Sequence, residues 1–284
     1  MSKKKKAALI TVPAVAVIAV LAFLGWKAIS YPGLYYKPIS AAKMKTDKDY
    51  NLVAHRGLSC VAPENTLDSL QAAVDAGFRY IECDIQITKD NEWIVNHDTT
   101  IKRMTGEEGT IADMTAEEVQ SYKITRGAHA KDYDAVSPTL EEFLAACQEN
   151  DLIPLIELKE EGPDLPYDKV FDLLDQYGLR DKSVLISFHE DNLKACRKLD
   201  ATIPMLYIIN KPATEETLDI VRDLGVCGID FRYSALKKSD EVVEQCREEG
   251  IPIGVWFSVE SPRKAAKALE MGAVFITTSV IVPA

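Results

Sequence analysis

From residue 51 onward, short hydrophobic runs rich in β-branched residues alternate with longer segments whose apolar positions recur at helical spacing. The runs are NLVAH, YIECDI, IPLIEL, VLISF, PMLYII, VCGIDF, IGVWFS and AVFITT. The helical segments mostly close on a glycine (Gly77, Gly178, Gly225, Gly250, Gly272), the residue best suited to a left-handed C-cap. Their starts carry caps: Thr139-x-x-Glu142 reads as a capping box, Ser261 precedes Pro262, and Asn65 or Thr66 stands before LDSLQAAV. Units of this kind, joined by right-handed crossovers, predict an α/β fold, a closed (β/α)8 TIM barrel, because closure removes the sheet edges.

One further run, EWIVNHD, follows YIECDIQ too closely for a helix to intervene, so the two must form an antiparallel hairpin. A turn centred on Asp90-Asn91 would set His97 opposite Asp84 and return it to the barrel mouth. Residues 98–138, polar and with a short capped helix near Thr115-Ala-Glu-Glu118, read as an insertion over that mouth.

Before residue 51 the pattern changes. Four lysines at 3–6 are followed by an uncharged stretch from Ala7 to Trp26, long enough to cross a bilayer of ~30 Å as a helix. Trp26, Tyr31, Tyr35 and Tyr36 follow as an interfacial aromatic cluster. Residues 1–26 are therefore expected to be a single-pass anchor in the cell membrane, with its lysines cytoplasmic and the rest extracytoplasmic. A cleaved signal peptide, giving a secreted protein, is the rival reading. Residues 27–50 read as a linker and 51–284 as the catalytic barrel. The six cysteines share no metal-ligand or CxxC spacing and read as buried free thiols. A net charge of -11 repels polyanions, which argues against nucleic acid and makes any phosphate site local.

Side chains alternate along a strand, so Glu82 and Asp84 share one face of YIECDI and Ile81, Cys83 and Ile85 the other. With the apolar set against the helices, the carboxylates enter the barrel. Glu157 and Lys159 repeat the arrangement in the next unit. Three interior carboxylates repel unless a cation neutralises them, and oxygen-only ligands suit a hard divalent ion, Ca2+ or Mg2+. A single acidic pair on a strand would more simply be a solvated face or an internal salt bridge; here both pairs fall at active-site strand ends together with His55 and His97. For His129 and His189 a structural role is the simpler reading.

The stretch AHRGLSCVAPENTLDSLQAAVDAGFRYIECDIQITKDNEWIVNHD resembles the glycerophosphodiester phosphodiesterase family, whose pattern is HRG, PENT, ExD and HD. ELK at 157–159, SF at 187–188 and VW at 255–256 follow in that family's order, and the likeness covers roughly residues 51–280. It implies a TIM barrel in which Glu82, Asp84 and Glu157 hold one divalent cation, His55 and His97 act as general acid and base, and Arg56 and Lys159 bind phosphate. Phosphodiester cleavage asks for the same roles on physical grounds: charge neutralisation, one proton taken and one given. Asn65 is expected to be a helix cap, Glu64 to orient Arg56 or His55, and Arg103 to be a second anionic contact or a solvated loop charge. Phe188, Tyr207 and Trp256 are expected to line the substrate pocket or to sit in the core, and Glu64 is expected to belong to the same pocket. The family's Thr-Asp pair near the last strand and its Asn after the Trp are replaced here by Thr277-Thr278 and by Phe-Ser-Val-Glu260.

The expected function is metal-dependent hydrolysis of glycerophosphodiesters, or of glycerophosphate polymers outside the cell, to sn-glycerol 3-phosphate and an alcohol. Two alternatives are a lysophospholipase D or phospholipase C-like lipid enzyme and a non-catalytic membrane-anchored barrel.

Overall fold

The structure, a computed structural model, describes residues 37–284. The expected membrane anchor lies outside the described residues; among those described, no helix is long and apolar enough to cross a membrane.

The strands in chain order are β1 (Ile39–Ser40), β2 (Asn51–Ala54), β3 (Tyr80–Ile87), β4 (Trp93–Val95), β5 (Ile153–Leu158), β6 (Val184–Ser187), β7 (Met205–Ile209), β8 (Cys227–Arg232), β9 (Ile253–Trp256), β10 (Phe275–Thr278) and β11 (Ile281–Val282). All eight runs read from the sequence as barrel strands are present. They pair in parallel in the order β2, β10, β9, β8, β7, β6, β5, β3, and the β2–β3 pairing closes the cylinder. β4 is antiparallel to the outer end of β3. The barrel interior is packed by Val53, Leu155, Val184, Ile186, Leu206 and Ile208. A larger apolar layer between sheet and helices includes Ile81, Cys83 and Ile85, the face of β3 opposite its carboxylates. All six cysteines are buried and free.

Thr139 and Thr115 form capping boxes with Glu142 and Glu118, and Ser261 caps the helix Pro262–Glu270. Each cap satisfies amide donors that the first helical turn otherwise leaves unpaired. The insertion has small cores of its own, one of them Ile94, Ile101, Ile111 and Val119.

Two expectations are corrected. The β3–β4 register pairs Ile85 with Val95, and the Asn96 amide donates to the Asp84 carbonyl at 3.0 Å, so Asn96 rather than His97 lies opposite Asp84. The turn is one residue longer than assumed: Thr88 N bonds Glu92 O at 2.9 Å around Lys89-Asp90-Asn91, with Asn91 in the left-handed region (φ 59°). Second, the segment read as a linker packs on the barrel over its described part. β1 pairs with β11, and Ala41 and Met44 of the following 3-10 turn are buried in the helix-facing core.

Candidate active site

β3 and β5 build the acidic centre. Asp84 and Glu157 are register partners, Glu82 stands two residues earlier on the same inward face, and oxygens of all three come within 4.8 Å of one another. Glu82 Oε2 accepts the Arg56 backbone amide at 2.8 Å, while Oε1 is buried without a hydrogen-bond partner. Asp84 Oδ2 accepts from Asn65 Nδ2 at 2.8 Å; its Oδ1 accepts no hydrogen bond and faces Lys159 Nζ at 3.4 Å. Glu157 Oε1 accepts from Lys159 Nζ at 2.8 Å.

Burial, then the Asp84 and Glu157 charges, push the Glu82 carboxyl well up. Burial and Asp84 raise Glu157 to about 7. For Asp84 burial works upward, but Arg56, His97 and Lys159 outweigh it and hold the group well below the ordinary range. The protein's own cations thus neutralise one carboxylate and leave the other two in want of positive charge. Two orphaned, buried carboxylate oxygens in an all-oxygen set fit a hard divalent cation.

The turn after β2 brings Arg56 to this centre, and the end of β5 brings Lys159. Arg56 has φ 57°, unusual for a residue with a side chain, and is held there by its amide on Glu82 and by its carbonyl, which accepts from Asn65 N (3.0 Å) and Ser69 Oγ (2.9 Å). Gly57 (φ 72°) is obligatory, since a Cβ there would stand 2.4 Å from Ser69 Oγ. The Arg56 guanidinium reaches Glu64 Oε1 at 2.7 Å through Nη1. Its Nε lies 3.1 Å from Asp84 Oδ2, an ion pair without hydrogen-bond alignment.

Asn65 is not the helix cap. Thr66 caps Leu67–Asp75, and the Asn65 amide is spent on the Asp84 side chain and backbone. Glu64 Oε1 accepts from Arg56 Nη1, and the residue does not line the pocket in which it was expected, because its carboxylate turns to Arg56 and Arg103. Arg103 is neither an open anion contact nor a solvated loop charge: it binds both Glu64 oxygens and, through Nε, Asp98.

His55 closes β2. Its backbone amide bonds Thr278 O at 2.9 Å, and its Nδ1 lies 3.0 Å from Ser279 Oγ. Burial, reinforced by Arg56, pushes its imidazole down to about 3, so it is neutral throughout the physiological range. His97 lies beyond the end of β4 with Nδ1 2.6 Å from Asp98 Oδ1. Burial first, then Arg56, lowers its pKa, and the Asp98 bond offsets part of that. Ser279 and Asp98 were missed as site residues; Asp98 was visible in the HD pair, whereas nothing local marks Ser279. The two departures from the family pattern meet here, since the Glu260 carboxylate accepts from Ser279 N (2.8 Å) and from Thr278 Oγ1.

Six of these groups line one cavity of about 210 Å³ at the barrel mouth, with Asp84 buried behind them. His55, Arg56, Glu82, His97, Glu157 and Lys159 form one wall; Ile186, Phe188, Ile208, Asp230 and Trp256 form the other. Phe188 and Trp256 meet edge to face, with centroids 6.1 Å apart. Tyr207 is absent from the lining because Leu206 and Ile208 take the inward positions of β7, turning Tyr207 to a neighbouring groove. His129 and His189 also lie outside it. Asp230 was overlooked: alternation along VCGIDF turns it inward, and burial, then Glu157, raises its carboxyl to about 8.

The model of the Glycerophosphoryl diester phosphodiesterase family matches residues 55–281. The chain belongs to this family. A glycerophosphodiester phosphodiesterase of Caldanaerobacter subterraneus subsp. tengcongensis is 27% identical over 207 residues, covering 72% of this chain and 84% of its own length. Among solved structures, an Oleispira antarctica phosphodiesterase in complex with the product sn-glycerol-3-phosphate superposes with a TM-score of 0.74 at 22% identity, covering 85% of this chain and 96% of that one. A glycerophosphodiester phosphodiesterase from Parabacteroides distasonis gives 0.70 at 25% identity, covering 82% and 94%. The eight-stranded closed barrel is thus the fold of this family.

Proposed function

We propose that the protein is a metal-dependent glycerophosphodiester phosphodiesterase that releases sn-glycerol 3-phosphate and an alcohol, with Ca2+ or Mg2+ held by Glu82, Asp84 and Glu157. One observation carries the reading: two imidazoles, two cationic side chains and the carboxylates of Glu82 and Glu157 line the same cavity, with Asp84 converging on those two carboxylates from just behind its wall.

Arg56 and Lys159 receive the phosphate anion. Lys159 is anchored by Glu157 and Asp84, and Arg56 by Glu64, so neither has to reorganise when the diester arrives. When bound, the cation adds positive charge where the transferring phosphoryl group becomes more negative. His55, neutral and with Nδ1 engaged by Ser279, takes the proton from the attacking hydroxyl. His97, whose protonated form Asp98 stabilises, gives a proton to the departing alkoxide. The same two transfers serve attack by the neighbouring glycerol hydroxyl, through a cyclic phosphate, or by water.

The uncharged run from Ala7 to Trp26 supports a cell-surface location for the barrel, tethered to the membrane, where glycerophosphate polymers also come within reach. The decisive assay measures sn-glycerol 3-phosphate released from glycerophosphocholine. The purified protein should release it with Ca2+ or Mg2+, lose the activity in EDTA and recover it on metal return; no release with either ion overturns the proposal.

A further inference from the structure

The wall opposite the histidines contains two polar atoms that nothing in the protein satisfies. Asp230 is 4% exposed, none of its oxygens has a hydrogen-bond partner among the described residues, and its Oδ1 is fully enclosed. Trp256 Nε1 is likewise buried and unpaired. Both residues line the cavity, from the inward faces of adjacent strands: Asp230 is the register partner of Gly254, two residues before Trp256. Gly254 makes room for the carboxyl, since a Cβ there would stand 2.7 Å from Asp230 Oδ1. A buried donor and a buried carboxyl left unpaired are costly, and native sites retain such atoms where a ligand completes them.

The surroundings select the ligand. Lys159 Nζ lies 5.9 Å from the Phe188 ring centroid and the Arg232 guanidinium 5.7 Å from that of Trp256, so cations already stand over both rings and repel a quaternary ammonium. An acyl chain would leave both polar atoms unpaired. A hydroxyl, which accepts from the indole N–H and donates to the carboxyl, satisfies both. The subsite is enclosed and fixed, which suits the glycerol unit common to all substrates of the proposed activity, whereas alcohols of varying size need the open mouth.

We infer that Asp230, with Trp256 Nε1, is a specificity-determining pair that receives the terminal free hydroxyl of the substrate's glycerol unit. The inference rests on the proposed phosphodiesterase activity and deepens it. Diesters with a free glycerol terminus and the ends of glycerophosphate polymers are substrates. Lysolipids acylated at that hydroxyl and internal polymer units are excluded.

The test compares kcat/KM for glycerophosphocholine and for its analogue lacking the terminal glycerol hydroxyl, in the wild type, Asp230→Leu, Asp230→Asn and Trp256→Phe. Wild type should favour the hydroxylated diester by about 10⁴-fold, the scale at which a site with unpaired polar groups rejects a missing hydroxyl. Asp230→Leu should reduce that preference to a few-fold through loss on glycerophosphocholine alone, while its melting temperature stays the same or rises. Asp230→Asn, which keeps a donor and an acceptor, should retain most of the preference, and Trp256→Phe should lower it less than Asp230→Leu does. Equal losses on both substrates, or a wild type that hydrolyses both equally well, overturn the subsite while leaving the phosphodiesterase reading intact. A wild type that hydrolyses neither sinks both.

Discussion

The two halves of the barrel interior are built on different physics. The half formed by β2, β3 and β5 carries the triad, Arg56, Lys159 and His55, and is tied by ion pairs from Asp84 through Arg56, Glu64 and Arg103 to Asp98. The half formed by β6 to β9 is mostly aliphatic and aromatic, with Asp230 its one carboxylate on the cavity wall among the described residues. Charges can be buried in the first half because each faces an opposite charge or awaits one, so that half is rigid through electrostatics and the other through packing. Removing side chains from the first should therefore affect chemistry more than folding, and removing the packed aliphatic side chains of the second the reverse.

The sharpest contrast is between the histidines and an interior aliphatic. His55→Ala and His97→Ala should each lower kcat by about 10²–10⁴-fold with little change in melting temperature. A nitrophenyl leaving group, which needs no proton, should restore much of the His97→Ala rate and none of the His55→Ala rate; rescue of His55→Ala alone would reverse the assigned roles, and equal rescue would remove the distinction between them. Leu206→Ala, in the packed interior, should instead cost about 2–5 kcal/mol in denaturant unfolding and leave kcat nearly unchanged.

Smaller effects probe the connecting network. Arg103→Ala lies away from the cavity lining, yet it releases both Glu64 and Asp98. Losing one charged hydrogen bond in the transition state corresponds to roughly a tenfold drop in kcat with KM little changed. A change in KM alone would mean that the network only binds substrate. Glu64 gives the smallest signal, in stability against pH. Burial pushes its carboxyl up, but Arg56 and Arg103 hold it down, to about 2. A carboxylate depressed by folding stabilises the native state fully above its ordinary value of 4.5, and that share is lost as pH falls toward 2. Scanning calorimetry across that window should show a shallower acid limb for Glu64→Gln than for wild type.

What could be read from the sequence followed from periodicity. The eight barrel strands, the inward Glu82 and Asp84 and the threonine caps depend on local spacing, and local spacing survives folding. The hairpin register failed because Asn91 adopts a left-handed conformation within a turn one residue longer than assumed, which shifted His97 past Asp84. Asn65 was misread because a cap-type residue before a helix looks the same whether its amide turns to the helix or to a carboxylate far along the chain. Ser279 and Asp230 carry no motif at all. Each is one polar residue in or beside a strand, and only closure of the cylinder brings it to His55 or to the cavity.

Isothermal titration of EDTA-stripped protein with Ca2+ and with Mg2+ measures directly whether Glu82, Asp84 and Glu157 act as one cation site. One site per chain is expected for at least one of the two ions, abolished in the Glu82→Gln/Asp84→Asn double variant while the circular dichroism spectrum is preserved. Absence of that site in the wild type, or unchanged binding in the variant, would contradict that assignment.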